Sequence, residues 1–401
     1  MIAPARRVAY EVLRRVFEED AYADRALRGA SEGLDDRDRA LARQLVFGSV
    51  QRVRTLDHAI ETLGKRPVRK LDPPVRAALR LGAYQLGFLD GVPRYAAVNE
   101  SVELVRRARL ERAVAFSNAV LRRIADGIDD LLAALPEGPL KYSYPDWIWD
   151  VWRRDLGEEE ALALMRAQNE PPTVVVRHVR GRSPDGSETD IPGAWEVDRV
   201  DERALAEGRL WPQSRGSQLA GLCVGAREGE RTLDLCAAPG GKATMLAGEV
   251  VAVEVNPARA RELEQNARRL GASNVTVVQA DGRALPPELT GFDRALVDAP
   301  CSGLGVLAAR PDLRWRSQPL PDLQLELLLA AAARVRPGGT VVYSVCTVNV
   351  DESEAVVDAS GLRVEPIAEW PQFRHPRRPQ FLQTYPHLHR TSGFFVARLR
   401  I

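Results

Sequence analysis

Residues 231–242 read RTLDLCAAPGGK, and this stretch decides the fold of the second half of the chain. Its first five residues are expected to form a buried strand. The pair Gly240–Gly241 after that strand lets the backbone approach a ligand closely. The loop is not G-x-G-x-x-G, because the third glycine is absent. It is not a P-loop, since Cys236 stands in place of the first glycine and Ala243 follows the lysine. A dinucleotide or a triphosphate is therefore disfavoured as the ligand.

Strands and helices alternate from about residue 215 to the end of the sequence. This order indicates a mainly parallel sheet with helices on both faces, in which ligands bind beyond the carboxyl ends of the strands. After Arg231–Leu235, strands are predicted at Val250–Val255, Val275–Gln279, Arg294–Asp298, Thr340–Val345 and Phe394–Leu399, and helices at Pro257–Leu270 and Pro321–Val335. The sequence thus predicts an α/β domain over residues 211–401.

The first half of the chain has a different pattern. Residues 1–130 show only helical spacing of apolar side chains, which predicts an all-α bundle. Residues 140–210 combine an aromatic stretch, one predicted strand at Val174–Arg177 and a loop at Arg180–Gly193. They are expected to form a small α+β connector between the bundle and the α/β domain.

Composition limits the class of protein. The chain has 401 residues, of which 28% are charged, and a net charge of +1, which excludes a uniformly basic nucleic-acid coat. Its four cysteines include no C-x-x-C pair, so neither a disulfide scaffold nor a zinc site is expected. The N-terminus lacks the apolar core of a secretory signal, and no apolar stretch has the ~18–20 residues of a membrane span. We expect a cytoplasmic monomer that binds neither metal nor membrane.

Acidic residues follow two further predicted strands. Glu254 closes the second strand, where a carboxylate can accept hydrogen bonds from both ribose hydroxyls. Asp281 follows the third strand, where a side chain can reach an adenine edge. A glycine loop, a ribose acid and an adenine acid without phosphate-binding residues fit S-adenosylmethionine. The alternative is an α/β domain with chance acidic residues at loop positions.

Two cysteines follow the next two strands, at Asp298-Ala299-Pro300-Cys301 and at Val345-Cys346. Adjacent strand ends place both thiols over one crevice, whereas Cys223 and Cys236 fit structural cysteines. Carbon-5 of cytosine is a poor nucleophile until a thiolate adds to carbon-6. Asp298, if protonated or sharing a proton, could hydrogen-bond the nitrogen-3 edge and favour that addition. One cysteine would attack and the other would help release. Position alone leaves open which one attacks, although a helix predicted from about Asp351 could favour a Cys346 thiolate.

Arginines crowd two stretches of the helical half. One of these stretches contains Arg106, Arg107, Arg109 and Arg112. Such a cluster either contacts RNA phosphates or forms an ordinary solvated helix face.

Three motifs resemble the RNA cytosine-5 methyltransferases of the Sun/Fmu (RsmB) family: LDLCAAPGGK at Leu233–Lys242, VDAPCSG at Val297–Gly303 and YSVCT at Tyr343–Thr347. Arg310–Trp315 and Gly393–Leu399 also match its pattern. The resemblance implies a Rossmann-like class I methyltransferase domain, with Cys346 as nucleophile and Cys301 assisting product release. It implies S-adenosylmethionine contacts at Cys236, Ala237, Ala238, Pro239, Gly240, Gly241, Lys242, Glu254, Asp281 and Asp298.

The helical half is similar to the NusB-type RNA-binding domain at Arg80–Leu86, Ala97–Glu100 and Phe116–Arg122. In bacterial members of the family this domain precedes the methyltransferase, and the substrate is a cytosine of 16S ribosomal RNA, so the resemblance implies an RNA partner. Ser214, Val179 and Ser392 depart from the family pattern and bear on the RNA target. Two alternatives stay open: a transfer-RNA cytosine-5 methyltransferase, and a catalytically silent RNA-binding or assembly factor.

Overall fold

The computed structural model describes residues 2–401, which form two compact units. The first unit ends at Asn169 and also includes Leu307–Arg316. The second comprises Glu170–Val306 and Ser317–Ile401. The predicted fold class is confirmed, because an all-α bundle is followed by a small sheet and an α/β domain.

The first unit is helical throughout. Helix α5 forms its centre: it begins at two prolines, where missing amide hydrogens cost little, and its residues from Ala77 to Leu86 are all buried. A Cβ added at Gly82 would lie 2.5 Å from Leu121 Cδ2, so α5 packs closely against α7. The helices are α1 (Pro4–Glu18), α2 (Ala23–Ala30), α3 (Asp36–Gln51), α4 (Val53–Gly64), α5 (Pro73–Phe88), α6 (Arg94–Arg107), α7 (Glu111–Ala134), α8 (Pro139–Tyr142), α9 (Asp146–Leu156) and α10 (Glu158–Ala167), with a 3-10 turn at Val68–Lys70.

The second unit begins with a small antiparallel sheet in the order β2-β3-β1-β4. Its central strand β1 has buried Val175, Val176 and Arg177, which explains why this strand was the one visible in the sequence. The elements are β1 (Val175–His178), β2 (Ser187–Glu188), β3 (Ala194–Glu196), α11 (Glu202–Ala206), β4 (Leu210–Pro212) and α12 (Arg215–Leu222).

The large sheet has eight strands in the order β10-β12-β9-β8-β5-β6-β7, and β11 pairs with β12. The five strands β5 to β9 run parallel, whereas β12 is antiparallel to β9. The strands are β5 (Arg231–Leu235), β6 (Glu249–Val253), β7 (Val275–Val278), β8 (Phe292–Asp298), β9 (Val335–Val345), β10 (Arg363–Glu365), β11 (Leu382–Gln383) and β12 (Phe395–Arg400). Because β6 and β8 flank β5, the strand order reverses there and opens a crevice at the carboxyl ends.

The helices of this half are α13 (Pro257–Leu270), α14 (Leu313–Arg316, part of the first unit), α15 (Pro321–Ala332), α16 (Glu354–Ser360) and α17 (Pro386–His389), with 3-10 turns at Ala243–Met245, Val350–Glu352 and Pro371–Phe373. Helix α13 has the predicted bounds. The Asn256 side chain accepts hydrogen bonds from the first-turn amides, and Gly271 ends the helix at a φ of 75°. No helix among residues 2–401 is long and apolar enough to cross a membrane.

The segment Leu307–Arg316 leaves the α/β chain path and joins the helical unit. Arg314 is fully buried there, and its guanidinium lies 3.8 Å from the centre of the Tyr144 ring. It donates to the carbonyl of Gln168 at 2.9 Å, while Trp315 Nε1 donates to that of Val50 at 2.7 Å. Burial lowers the pKa of Arg314 to about 10. These residues of the Arg310–Trp315 motif therefore have structural roles in the helical unit.

Candidate active site

The two predicted thiols lie together in the second unit. Cys301 Sγ is 3.4 Å from Cys346 Sγ. Cys346 directly follows β9, and Cys301 lies in the loop after β8, the neighbouring strand. Gly305 N donates to Cys346 O at 3.0 Å, which holds the loop of Cys301 against the end of β9. The structure thus brings together the two cysteines that the strand pattern placed over one crevice.

The two sulfur atoms do not have the same environment. The hydrogen bond with Cys346 raises the pKa of Cys301 well above its usual range, and burial and the negative charges of Cys346 and Glu352 raise it further. Cys301 therefore keeps its proton and can donate it toward the sulfur of Cys346. The helix expected from about Asp351 is only a 3-10 turn at Val350–Glu352 followed by the short α16, so its dipole offers Cys346 little support.

Asp298 ends β8 beside the thiols and accepts two hydrogen bonds. Lys242 Nζ donates to its Oδ2 at 2.7 Å, and Ser344 Oγ donates to its Oδ1 at 2.7 Å. The Lys242 side chain is only 10% exposed and that of Asp298 is 30% exposed. The ion pair joins the predicted cofactor loop to the strand that precedes Cys301.

In the predicted cofactor loop, Cys236–Lys242, the two glycine positions have no room for a larger residue. Gly240 has a φ of 103°, and a Cβ there would lie 2.5 Å from Leu263 Cδ1. A Cβ on Gly241 would lie 2.8 Å from Trp211 Nε1. Burial raises the pKa of Cys236 to about 12, which fits the structural role expected for this cysteine.

The two predicted nucleotide acids differ in availability. Glu254 is 2% exposed and accepts from Asn256 N at 3.0 Å, with Arg259 Nη2 at 3.6 Å. Asp281 is half-exposed and is bonded by Arg283, whose Nη2 lies 2.7 Å from Oδ2. This contact lowers the pKa of Asp281. Glu254 therefore offers a ligand a buried hydrogen-bond acceptor, whereas the Asp281 carboxylate is already paired with Arg283.

Two buried carboxylates of this region were not predicted from the sequence as site residues. Asp234, inside β5, is fully buried, and neither of its oxygens has a hydrogen-bond partner among residues 2–401. Burial raises its pKa well above the usual range, and the charge of Asp298 adds to this while Lys242 opposes it. Glu352 is also fully buried and bonds to the loops of both cysteines. An acidic residue within an apolar strand was the available signal for Asp234.

The predicted RNA-binding arginines separate into two pairs in the helical unit. Arg106 and Arg107 both pair with Glu103, the latter at 3.7 Å. Arg109 and Arg112 instead line a cavity of about 510 Å³ that also receives Arg66 and Lys70. None of these four cations lies within ion-pair distance of a carboxylate in the described part of the chain. The second pair therefore has free positive charge for a phosphate, whereas in the first pair one carboxylate offsets half of the charge.

The three departures from the family pattern form ordinary local hydrogen bonds, Ser214 through its side chain and the other two through the backbone. The Ser214 side chain caps α12 by accepting from Ser217 N. The carbonyl of Ser392 accepts from Thr384 Oγ1 at 2.7 Å, and Val179 N donates to the carbonyl of Arg209 at 2.9 Å. In residues 2–401 no three His, Cys, Asp or Glu side chains are grouped as metal ligands.

Comparison with known proteins assigns this arrangement to a family. Residues 222–400 match the family described as 16S rRNA methyltransferase RsmB/F, and residues 3–126 match the NusB family. The probable ribosomal RNA small subunit methyltransferase B of Synechocystis is 33% identical over 99% of each chain. The chain belongs to the RsmB/F methyltransferase family. It is therefore a methyltransferase with an N-terminal NusB-type domain.

One further relative agrees with this assignment, and one solved structure shares the fold. The ribosomal RNA small subunit methyltransferase B of Thermus thermophilus is 38% identical over 93% of this chain and 88% of its own. The crystal structure of PH0851 shares the fold, with a TM-score of 0.83 and 22% identity over 100% of this chain and 99% of its own. The Synechocystis relative, which matches 99% of this chain, also spans the small sheet that carried the least sequence signal.

Proposed function

We propose that this RsmB/F family member methylates carbon-5 of a cytosine in RNA through a covalent bond between Cys346 and the base. The observation that carries the proposal is the 3.4 Å contact between the sulfurs of Cys301 and Cys346 at neighbouring strand ends. Methylation of an exocyclic amino group needs no thiol, so a pair of thiols at the carboxyl end of the sheet favours attack on the ring.

The two cysteines divide the covalent chemistry. Cys301, whose pKa is raised, holds a proton and donates a hydrogen bond to the Cys346 sulfur, which stabilises negative charge there. The Cys346 thiolate adds to carbon-6, and the electron pair moves onto the ring, so carbon-5 becomes nucleophilic. After methylation the proton of carbon-5 passes to solvent water, the electron pair of the broken carbon–hydrogen bond re-forms the double bond between carbon-5 and carbon-6, the bond between carbon-6 and sulfur breaks, and Cys346 leaves as a thiolate. Cys301 assists this departure because its thiol can again donate to the leaving sulfur.

Asp298 and Lys242 serve the other edge of the base in this proposal. Addition of the thiolate places negative charge on nitrogen-3, which needs a hydrogen-bond donor. A lone aspartate carboxylate is only an acceptor, but Asp298 is paired at 2.7 Å with the Lys242 ammonium. Together the pair has a proton available, so Asp298 orients the base while Lys242 supplies the donor.

The residues of the second unit fit S-adenosylmethionine, which would supply the methyl group as an electrophile. The side-chain-free cradle at Gly240 and Gly241 allows close approach of a ligand, and the buried acceptor Glu254 suits ribose hydroxyls. Asp234 lies in β5, the strand that leads into the loop, and its unpartnered carboxylate further supports a site that is polar and built for a ligand. Residues Cys236–Lys242, Glu254, Asp281 and Asp298 would hold it.

The helical unit would bind the RNA. Its cavity presents Arg66, Lys70, Arg109 and Arg112 without carboxylate partners, and Phe116 in the same cavity offers a ring beneath Arg66 at 5.4 Å. Cations with an aromatic ring suit a single-stranded RNA segment. We further propose 16S ribosomal RNA as the substrate, because curated relatives of the whole chain are named ribosomal RNA small subunit methyltransferase B.

Bisulfite sequencing of ribosomal and transfer RNA from a strain lacking this gene tests the function. One cytosine of 16S ribosomal RNA should lose its 5-methyl group, and the wild-type protein should restore it while Cys346→Ala should not. Loss of methylation in transfer RNA alone would favour the transfer-RNA enzyme. Unchanged methylation in both RNAs would favour a silent assembly factor.

A further inference from the structure

Glu352 is a buried charge with an unusual set of partners. It lies in the 3-10 turn after Cys346 and is fully buried. Among the described residues no arginine, lysine or histidine lies within ion-pair distance of it. A buried carboxylate without a cation is costly unless several donors surround it. Here the donors come from both cysteine loops and from α15.

The first group of donors belongs to the loop of Cys301. Ser302 N donates to Glu352 Oε1 at 2.9 Å, and Ser302 Oγ makes a short hydrogen bond to Oε2. Gln324 Nε2 also lies 2.9 Å from Oε1 and 2.9 Å from the carbonyl of Pro300. The residues on both sides of Cys301 are therefore connected to the Glu352 carboxylate.

The second group belongs to the loop of Cys346. Thr347 Oγ1 lies 3.3 Å from Glu352 Oε2 and 2.9 Å from Ser302 Oγ. A further donor lies at the start of α15, where Leu320 N donates to Glu352 Oε1 at 3.1 Å. One carboxylate thus bonds to the residue that follows each cysteine, and the sulfurs of these two cysteines lie 3.4 Å apart.

We propose that Glu352 is the positioning residue of the thiol pair. It fixes the loops of Cys301 and Cys346 against each other through Ser302 and Thr347, and its negative charge keeps the proton on Cys301. This role rests on the proposed covalent chemistry. The carboxylate touches neither base nor methyl donor and acts only through the two loops.

The charge part of the role has a measurable consequence. Negative charge near a thiol disfavours the thiolate, and Glu352 is among the groups that raise the pKa of Cys301. Removing that charge should therefore lower the pKa of Cys301. Glu352→Gln keeps the volume of the side chain, so if Glu352 only filled space this substitution would leave the titration of Cys301 unchanged.

The test compares Glu352→Gln and Glu352→Asp with the matched control Glu354→Gln. Glu354 is also a buried carboxylate of this segment, but it bonds to His375 Nε2 at 2.8 Å instead of the thiol loops. Alkylation of Cys301 by iodoacetamide is followed against pH by peptide mass spectrometry on the full-length protein. We expect Glu352→Gln to move the midpoint down by about half a pH unit or more, and Glu352→Asp and Glu354→Gln to leave it in place.

Turnover on RNA with S-adenosylmethionine gives the second measurement. Glu352→Gln should lower kcat by about 100-fold with little change in KM for S-adenosylmethionine, because a small displacement of reacting groups has this effect. Glu352→Asp should recover part of the rate. If Glu352→Gln does not fold, Ser302→Ala and Thr347→Val each remove one link and should lower kcat with the same unchanged KM, whereas Thr347→Ser should not.

An unmoved Cys301 titration in Glu352→Gln, or an equal shift in Glu354→Gln, would overturn the proposal. A wild-type kcat in Ser302→Ala and Thr347→Val would do the same. The alkylation experiment needs neither RNA nor methyl donor. It therefore distinguishes failure of this role from failure of the proposed methylation.

Discussion

Lys242 Nζ lies 2.7 Å from Asp298 Oδ2, although the two residues are 56 positions apart in the sequence. The ring of Phe394 lies 5.0 Å from the same ammonium, which further shields it from solvent. This contact joins the loop after β5 to the end of β8. It places the proposed donor for the base on the loop proposed to hold the methyl donor.

Replacing Lys242 by Met should therefore impair the chemical step. The substitution removes a hydrogen bond between charged groups, worth about 1.5–3 kcal/mol, and leaves Asp298 with the Ser344 hydroxyl as its donor but without the ammonium. We expect the single-turnover rate of methylation to fall by about 10- to 100-fold. Lys141→Met is the matched control, since Lys141 forms an exposed pair with Glu137 at 2.5 Å. Equal rates for the two variants would remove Lys242 from the proposed chemistry.

Glu254 should control the affinity for the methyl donor. Its carboxylate is 2% exposed, so its hydrogen bonds to a ribose would be formed away from water. Glu254→Gln should weaken S-adenosylmethionine binding at least about tenfold in calorimetry, because charge-assisted hydrogen bonds are lost. Glu249→Gln, at the exposed start of β6, should bind as the wild type does. Wild-type affinity in Glu254→Gln would contradict the assignment.

Asp234 should make the ligand-free protein less stable as pH rises. The pKa of Asp234 is raised in the folded state. Its contribution to the free energy of unfolding is therefore fully present below the pKa of the unfolded chain, about 4. As the pH rises from there toward the pKa of the folded state, this contribution is lost. The loss is at most about 1.4 kcal/mol per pH unit. Asp234→Asn cannot titrate, so its stability relative to the wild type should increase between pH 5 and pH 8 in denaturant unfolding. A constant difference across this range would show that Asp234 titrates normally.

The arginines of the helical unit should contribute unequally to RNA binding. Arg109→Ala/Arg112→Ala should flatten the slope of log affinity against log salt by about one to two units, since both side chains have free charge toward a phosphate. Arg106→Ala/Arg107→Ala should change the slope less, because Glu103 already pairs with both residues. Fluorescence anisotropy with a single-stranded RNA provides the slopes. Equal effects of the two double variants would favour a diffuse, solvated basic face.

The sequence predicted helices and strands best where the apolar side chains follow a single repeat, either that of a helix or that of a strand. The alternation of strands and helices gave α13 its observed bounds, because Asn256 and Gly271 mark both ends chemically. Strand β9 instead begins at Val335, five residues before the predicted Thr340, because Pro337, Gly338 and Gly339 resemble a turn yet lie within the strand. The route of Leu307–Arg316 into the helical unit depends on contacts such as those of Arg314, which no local pattern reveals.

In the candidate site, too, some features could be predicted from the sequence and others could not. Motifs located both thiols, Asp298 and the glycine loop, since each follows a recognisable strand. Arg283 beside Asp281 and the pairing of Arg106 and Arg107 with Glu103 depend on side-chain conformation, which the spacing of charges leaves open. No feature of the sequence indicated the role of Glu352, because this role depends on the burial of its side chain between two loops.

Trapping of the covalent complex tests the central claim most directly. Cys301→Ala and Cys346→Ala are each mixed with substrate RNA and S-adenosylmethionine and separated on a denaturing gel. Our account predicts a trapped protein–RNA complex with Cys301→Ala, with the cross-link mapped to Cys346 by mass spectrometry, and none with Cys346→Ala. A complex formed by Cys346→Ala and absent from Cys301→Ala would contradict the account and make Cys301 the nucleophile.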